Sequence, residues 1–473
     1  MGDAGGRGGA ALTATGPAAT DAPGAATARR PLSARLPALI QALFAVRPTR
    51  RPSWRAVAVG VGAVALGTAV GLLRQPGVGA LDTMWAEDGQ VFFSEAVRQG
   101  PLSALTTSYA GYYHAVPRLL AGVAALVPAE AASAVLAVEA ALCTALVALL
   151  VYTASGAHLA STLSRLLVSV IVVVVPVAQD DTLNSIANLH WYGLYALFWV
   201  LIWAPAGRAG RFVAAAVVLL VSASDILSVV FLPLALLRAL RRPDAERREP
   251  HAMLLAAALA VGLAVQFAGL LIGSSSRALA PDPLRAASGY LLRAVPAPLI
   301  GERWLGQEIT ARSLVLAALA WLVVAAAVLL AYARVVRPGW ALALVAALHS
   351  AALYVLPVLL SGVATPRYAV APAMLLVTAL VALVQPRPAG AAVGAMRRST
   401  TAPLYVLAAL LAVVAAVNLR VDNRRADGPG WSAELERAAA SCSEGATARV
   451  PVAPRGDRPW LVEIPCTHLP RRS

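Results

Sequence analysis

The sequence predicts an all-α polytopic membrane protein of about eleven transmembrane helices, and three observations predict it. Of 473 residues, 59% are hydrophobic and only 13% are charged, whereas an ordinary soluble domain carries about 25% charged residues. Mean hydropathy is +0.71. The apolar residues fall in many runs of about 20, the length that spans a bilayer. A single soluble core of this size, a disordered chain and a disulfide-rich secreted scaffold are thereby excluded. The net charge of +15 comes from arginine alone, since the chain contains no lysine. These arginines cluster at span ends rather than on one basic face, which excludes nucleic-acid binding. The three cysteines offer no Cys-x-x-Cys metal framework.

Residues 1–55 are Ala/Gly/Pro/Thr-rich and then arginine-rich, and are expected to be a disordered and basic cytoplasmic flank. The membrane domain is expected over 56–418. Its eleven apolar stretches lie at 56–73, 131–153, 164–178, 191–204, 211–221, 226–240, 251–272, 313–333, 340–360, 368–384 and 402–418. The two short ones, 211–221 and 226–240, form a pair that dips around Ser222–Asp225. A further stretch, 115–127, is too short and broken for a full crossing. Arginines fix the orientation. Arg208, Arg211, Arg241, Arg242, Arg247, Arg248, Arg334, Arg337, Arg387, Arg397 and Arg398 fall in short loops on one side, and Arg367 alone in those on the other. By the positive-inside pattern the N-terminus is cytoplasmic and the C-terminus extracytoplasmic, in a cell membrane. Three segments then lie outside: a long first loop, 74–130, the loop 179–190, and a second large loop, 273–312. Residues 419–473 are expected to be a small separate extracytoplasmic unit, with a β hairpin in the apolar pieces 448–452 and 460–464. Cys442 and Cys466 are expected to pair there, in an oxidising compartment, while Cys143 is a core residue.

Ionisable groups at a membrane are costly, so their positions point to function. Nearly all gather on the outer side. Trp85-Ala86-Glu87-Asp88-Gly89 places two adjacent carboxylates just beyond the first span; by themselves they form either a site or a solvated turn that caps a helix from Gln90. In Tyr109-Ala110-Gly111-Tyr112-Tyr113-His114 and onward to Arg118, aromatics suit sugar faces, and His114 and Arg118 share a helical face that could hold a phosphate. The other reading is an interfacial aromatic belt with a snorkelling arginine. Asn184, Asn188 and Tyr192 form a polar stripe with His190 beside it, lining a pocket or bonding neighbouring helices. Asp180-Asp181 offers oxygen ligands to a divalent cation, Mg, Mn or Ca. Asp225 is either a pocket carboxylate or a helix N-cap. Arg367-Tyr368 opens a span from the outside, at the depth of a lipid phosphate, with Arg293 and Arg303 as weaker candidates of that kind.

The Glu87-Asp88 pair, the long first outer loop and the extracytoplasmic C-terminal part together resemble the GT-C glycosyltransferases, most closely actinobacterial envelope enzymes that use polyprenyl-phosphate sugars. The resemblance implies an inverting transfer from a polyprenyl-phosphate donor to an envelope glycan, lipid or protein acceptor. Asp88 would be the catalytic base and Glu87 its orienter, or the reverse; a carboxylate there takes the acceptor hydroxyl proton while an oxocarbenium-like sugar leaves its phosphate. The alternative is a transporter or flippase for a lipid-linked or polar solute. Against it, no internal repeat is visible and the ionisable groups sit at the outer edge rather than the midplane. A non-catalytic assembly protein would leave eleven spans without a purpose.

Overall fold

A computed structural model of the chain describes residues 39–44, 53–241, 250–272, 279–306, 308–387, 395–443 and 445–469. Most of the N-terminal flank, Arg242, Arg247 and Arg248 lie outside the described residues. The chain is built from helices, in the order α1 (Trp54–Leu73), α2 (Ala115–Ala124), α3 (Ala129–Ser155), α4 (Thr162–Val174), α5 (Leu189–Ile202), α6 (Arg208–Ser222), α7 (Ile226–Leu240), α8 (Pro250–Ile272), α9 (Ala311–Tyr332), α10 (Trp340–Ser361), α11 (Pro366–Leu383) and α12 (Ala395–Val417). Helix α13 (Trp431–Ser441) and two strands, β1 (Thr447–Val452) and β2 (Trp460–Pro465), follow, and short helical turns lie in the connecting segments.

Seven of these helices are long and apolar enough to cross a membrane: α1, α3, α8, α9, α10, α11 and, from Thr400, α12. The expected count of about eleven is therefore not reached on length. Every expected stretch is helical, but α4 (13 residues), α5 (14) and α7 are too short to span alone, and α6 has only 15 residues, beginning at Arg208 and Arg211. The reason is local. Proline and polar turns cut these segments at Val175-Pro176, Trp203-Ala204-Pro205 and Ser224-Asp225.

Burial sorts the helices into two shells. In α5 all residues but His190 are buried, and α11 is 83% buried against 11% for α1. A helix that is apolar all round belongs either inside a large protein or in lipid, and here α5 and α11 are inside while α1 presents its surface outward. Arg74, just past α1, is buried and donates to Val173 O, Val175 O and Leu419 O. One guanidinium, carried just past α1, thus closes off the ends of α4 and α12, where carbonyls lack helical partners.

The C-terminal tail, expected as a separate unit, folds back onto the first loop. Strands β1 and β2 pair antiparallel with Val450 opposite Val462, and Cys442 and Cys466 are bonded at a Cα–Cα distance of 5.8 Å. Ala86 N–H donates to Ala453 O (2.7 Å) and Ala453 N–H to Met84 O (3.1 Å). Leu461 N–H donates to Gln90 Oε1 and Glu463 N–H to Ser94 Oγ, while Trp431 packs edge-on against Phe93 and donates to Ala129 O. The contact is close: a Cβ at Gly89 would stand 2.6 Å from Val462 Cγ2 and 2.8 Å from Met84 Sδ. The physical reason is that the first loop exposes apolar residues which a short hairpin covers.

Gly89→Leu is accordingly expected to cost about 1–3 kcal/mol through overpacking and to loosen the hairpin. A lowered melting temperature with faster tryptic cleavage at Arg449 and Arg455 would be the signature. Unchanged melting and digestion would show that the hairpin does not depend on this seat.

Candidate functional site

The Glu87–Asp88 pair sits where the first loop coils into a single π turn, Asp88–Phe93, a form often found at functional sites. Its side chains do not cap this turn, and Asp88 is 1% exposed. The solvated-cap reading is thereby corrected: the hairpin covers the loop, and the carboxylate faces inward. Asp88 Oδ1 accepts from Ser185 Oγ (3.0 Å) and Ala187 N–H (2.8 Å), which leaves Oδ2 without a hydrogen bond among the described residues. Burial pushes its carboxyl up to about 7, against the pull of nearby Arg425 and those two hydrogen bonds.

The loop 176–188 supplies that cradle, and the polar stripe is spent on holding it. Asn188 Nδ2 donates to Asp181 O (2.8 Å) and Ser185 Oγ (3.2 Å). Asn184 Nδ2 donates to Gly71 O (3.0 Å), and Tyr192 OH reaches Thr182 Oγ1 at 3.5 Å. Left-handed φ values at Ala178 (51°) and Asn184 (53°) turn the chain sharply at both ends of the short helix 179–182. These residues are stacked next to the site as loop supports.

Around the loop lies a mixed-sign cluster. Arg367 Nη1 stands 3.8 Å from Glu87 Oε1 and 3.9 Å from Asp181 Oδ2. Arg424 Nε is 2.8 Å from Asp180 Oδ2, and its Nη2 is 3.3 Å from Asp181 Oδ1. Glu302 Oε2 accepts from Ala178 N–H at 2.5 Å. Burial and the neighbouring Asp180 carboxylate raise Asp181 to about 6; burial likewise raises Glu302 to about 7. Among the described residues no three His, Cys, Asp or Glu side chains converge to hold a metal ion. The Asp180-Asp181 pair therefore does not fit the expected divalent cation, because Arg424 and Arg367 supply the positive charge that a metal would.

His190 and Asp225 are joined, Nδ1 to Oδ2 at 2.6 Å, and both are mostly buried. Of its two expected readings Asp225 shows the cap: Oδ1 accepts from Leu227 N–H (2.8 Å) at the start of α7, while Oδ2 holds His190. Next to His190, Trp191 packs on Tyr368 with ring centroids 5.5 Å apart, which joins the dyad to Arg367. His114 and Arg118 stand elsewhere. Arg118, its side chain fully buried, pairs with Glu95 at 2.6 Å and lies over Phe92. His114 packs among Phe92, Tyr109 and Tyr112. This pair braces the far side of the π turn, buried by protein rather than held in an interfacial belt.

Three site residues were not expected: Glu302, Arg424 and Arg425. Arg425 is 1% exposed and donates to Thr83 Oγ1, Thr83 O, Leu183 O (2.5 Å) and Asn184 O (3.1 Å). A signal for the arginines was present, since a double arginine just past the last apolar stretch, on the side expected to be outer, runs against the positive-inside pattern.

Two outcomes follow from this geometry. Arg425→Ala removes a buried charge with several acceptors and is expected to cost about 3–5 kcal/mol. Arg425→Lys should recover only part of that, because an ammonium cannot serve the same fork; equal melting of all three proteins would remove the brace assignment. The second concerns pH. Between the ordinary carboxylate range and about 7, an unfolded chain releases the proton that folded Asp88 retains, so stability falls as pH rises through that window. The slope of melting temperature between pH 5 and pH 7 should be shallower in Asp88→Asn than in the wild type, and identical slopes would mean that Asp88 is not perturbed. The chain matches no protein-family model, no curated protein and no solved structure.

Proposed function

We propose that the protein is an integral membrane glycosyltransferase that moves a sugar from a polyprenyl-phosphate donor to a cell-envelope acceptor, with inversion, on the outer face of the cell membrane. The observation that carries this reading is the convergence of Glu87, Asp88, Asp181 and Arg367 at the first turns of α5 and α11, the two helices buried at the bundle centre. In this reading the cluster and the C-terminal tail lie outside the membrane and the N-terminal flank lies in the cytoplasm. All eleven apolar helices make up the membrane domain, the short ones crossing as members of the bundle.

Asp88 serves as the base. Its Oδ1 is committed to the loop and Oδ2 takes the proton of the acceptor hydroxyl; a carboxyl near 7 is matched to proton transfer at neutral pH. The acceptor oxygen bonds the anomeric carbon on the face opposite the phosphate, and the carbon–oxygen bond to the phosphate breaks with its electron pair leaving on polyprenyl phosphate. Arg367, held by Glu87 and Asp181, faces that growing charge, and the N-terminal ends of α5 and α11 add the positive ends of their dipoles. Tyr368 offers an aromatic face for the sugar ring, with Trp191 and the His190–Asp225 pair packed behind it.

The test is sugar transfer by purified protein from labelled polyprenyl-phosphate arabinose or mannose to envelope-glycan acceptors. Asp88→Asn is expected to lower the rate by about 10²-fold or more in protein that still folds, and the wild-type rate should rise with pH through about 7 as Asp88 loses its proton. Glu87→Gln should weaken transfer through Arg367 while keeping the pH profile. Wild-type rates in both variants would sink the assignment, and movement of intact lipid-linked sugar across vesicles without transfer would establish the transporter instead.

A further inference from the structure

Glu302 lies within the field of two arginines and pairs with neither. Arg424 and Arg293 act on it, together with the like charges of Asp180 and Asp181. Among the described residues it nevertheless forms no ion pair. It is spent on main chain instead. Its Oε2 accepts from Ala178 N–H at 2.5 Å, and its own N–H donates to Pro176 O at 3.1 Å. The 279–306 segment thus grips the 176–188 loop at two points, on either side of Val177.

What it grips is a strained corner. Ala178 has φ 51°, a left-handed backbone that is costly for any residue with a Cβ and free for glycine. Such a conformation persists only where its surroundings hold it. Here Glu302 holds the Ala178 N–H, while Ala178 O accepts from Thr182 N–H (2.9 Å) and Thr182 Oγ1 (2.8 Å). The next residue is fixed too, since Gln179 Nε2 donates to Asn418 O at 2.6 Å. Asn418 also backs the turn that presents Glu302: a Cβ at Gly301, where φ is 100°, would stand 2.3 Å from Asn418 Oδ1.

The corner aims Asp181. The short helix 179–182 starts from it, and Asp181 stands 3.9 Å from Arg367 Nη1 and 3.3 Å from Arg424 Nη2. Contacts of that length are set by where the chain places the two groups, because neither is a close hydrogen bond. A relaxed corner would therefore shift Asp181 while Arg367 stayed on the first turn of α11. We propose that Glu302 is a positioning residue: by holding Ala178 left-handed it sets Asp181, and through Asp181 the direction of Arg367. This role rests on the transferase reading for the charge that Arg367 faces.

The test is a substitution cycle between positions 302 and 178, made in the full chain in phosphatidylcholine nanodiscs. Glu302→Ala removes the acceptor and should speed amide hydrogen exchange across residues 178–188. It should also lower kcat for sugar transfer about tenfold, the value of one hydrogen bond to a carboxyl group. KM should change little, because Arg367 meets charge that develops only in the transition state. Glu302→Gln keeps an oxygen acceptor and should recover most of both losses. Ala178→Gly removes the strain, so adding Glu302→Ala to it should change exchange and kcat by about twofold or less. Such coupling between the two positions is what a general loss of stability would not produce. Where Glu302→Ala alone does not fold, the rescue is read as folded protein in the double variant. Wild-type exchange in Glu302→Ala, or equal losses with and without Ala178→Gly, would overturn the assignment. Exchange is read without substrate, so the two readings fail separately. Rescued exchange in a protein that transfers no sugar keeps the corner and removes the transferase, whereas transfer at the wild-type rate in Glu302→Ala removes only this role.

Discussion

The polar end of this molecule depends on one buried guanidinium. Arg425 lies below the surface, where the Asp88 carboxylate is the opposite charge that acts on it, and burying such an ion costs several kcal/mol unless its donors are used. They are used on main-chain oxygens of Thr83, Leu183 and Asn184, so the tail, the first loop and the 176–188 loop are closed on one atom group. None of the three can move without exposing the charge or leaving it unpaired. Because the acceptors are neutral carbonyls, the positive charge is not cancelled locally and stays available to Asp88. Two opposed effects then set that carboxyl: burial, which favours its neutral form, and Arg425, which favours its ionised one, with burial the larger.

The same logic organises the rest of the cluster. Asp180, Asp181 and Glu302 would repel one another in a partly buried site, and their proximity is tolerable only because Arg424 and Arg367 are interleaved. Arg424 arrives from the tail and Arg367 from the first turn of α11. The site is therefore made from five distant stretches of chain, and the hairpin that seats against Gly89 is the clamp that keeps the tail's share in place. A tail of about fifty residues is small for a domain, but it is adequate as a strap.

Much of the fold was legible because its causes are local. Apolar runs wrote the helices, and proline and glycine wrote their ends. What length alone could not say is whether a 14-residue run such as 189–202 is a short crossing or a buried core, since an all-round apolar helix suits both protein and lipid. At the site, Glu87, Asp88, Asp181 and Arg367 could be picked out because charges next to spans are expensive. The roles of Asn188 and Tyr192 could not, because a polar stripe looks the same whether it faces a ligand or a neighbouring loop; here their hydrogen bonds go to Asp181 O, Ser185 and Thr182. His114 and Arg118 were chosen on spacing, yet Glu95, 23 residues earlier, takes the arginine. Arg425 had no signal beyond its sign, because its partners are carbonyls 241 to 342 residues away.

The placement of the cluster on α5 and α11 has its own physical reason. Side chains on exposed loops hold a fixed mutual geometry poorly, because each retains its rotamer freedom. Helices α5 and α11 are enclosed by other helices over nearly their whole length, so their first turns are fixed by the bundle rather than by the solvent-facing chain. His190, Trp191, Arg367 and Tyr368 inherit that rigidity. Asp225 extends it by tying His190 to the cap of α7. The large apolar interior is thus more than a means of remaining in the membrane: it is what allows a few polar residues at its edge to hold fixed positions.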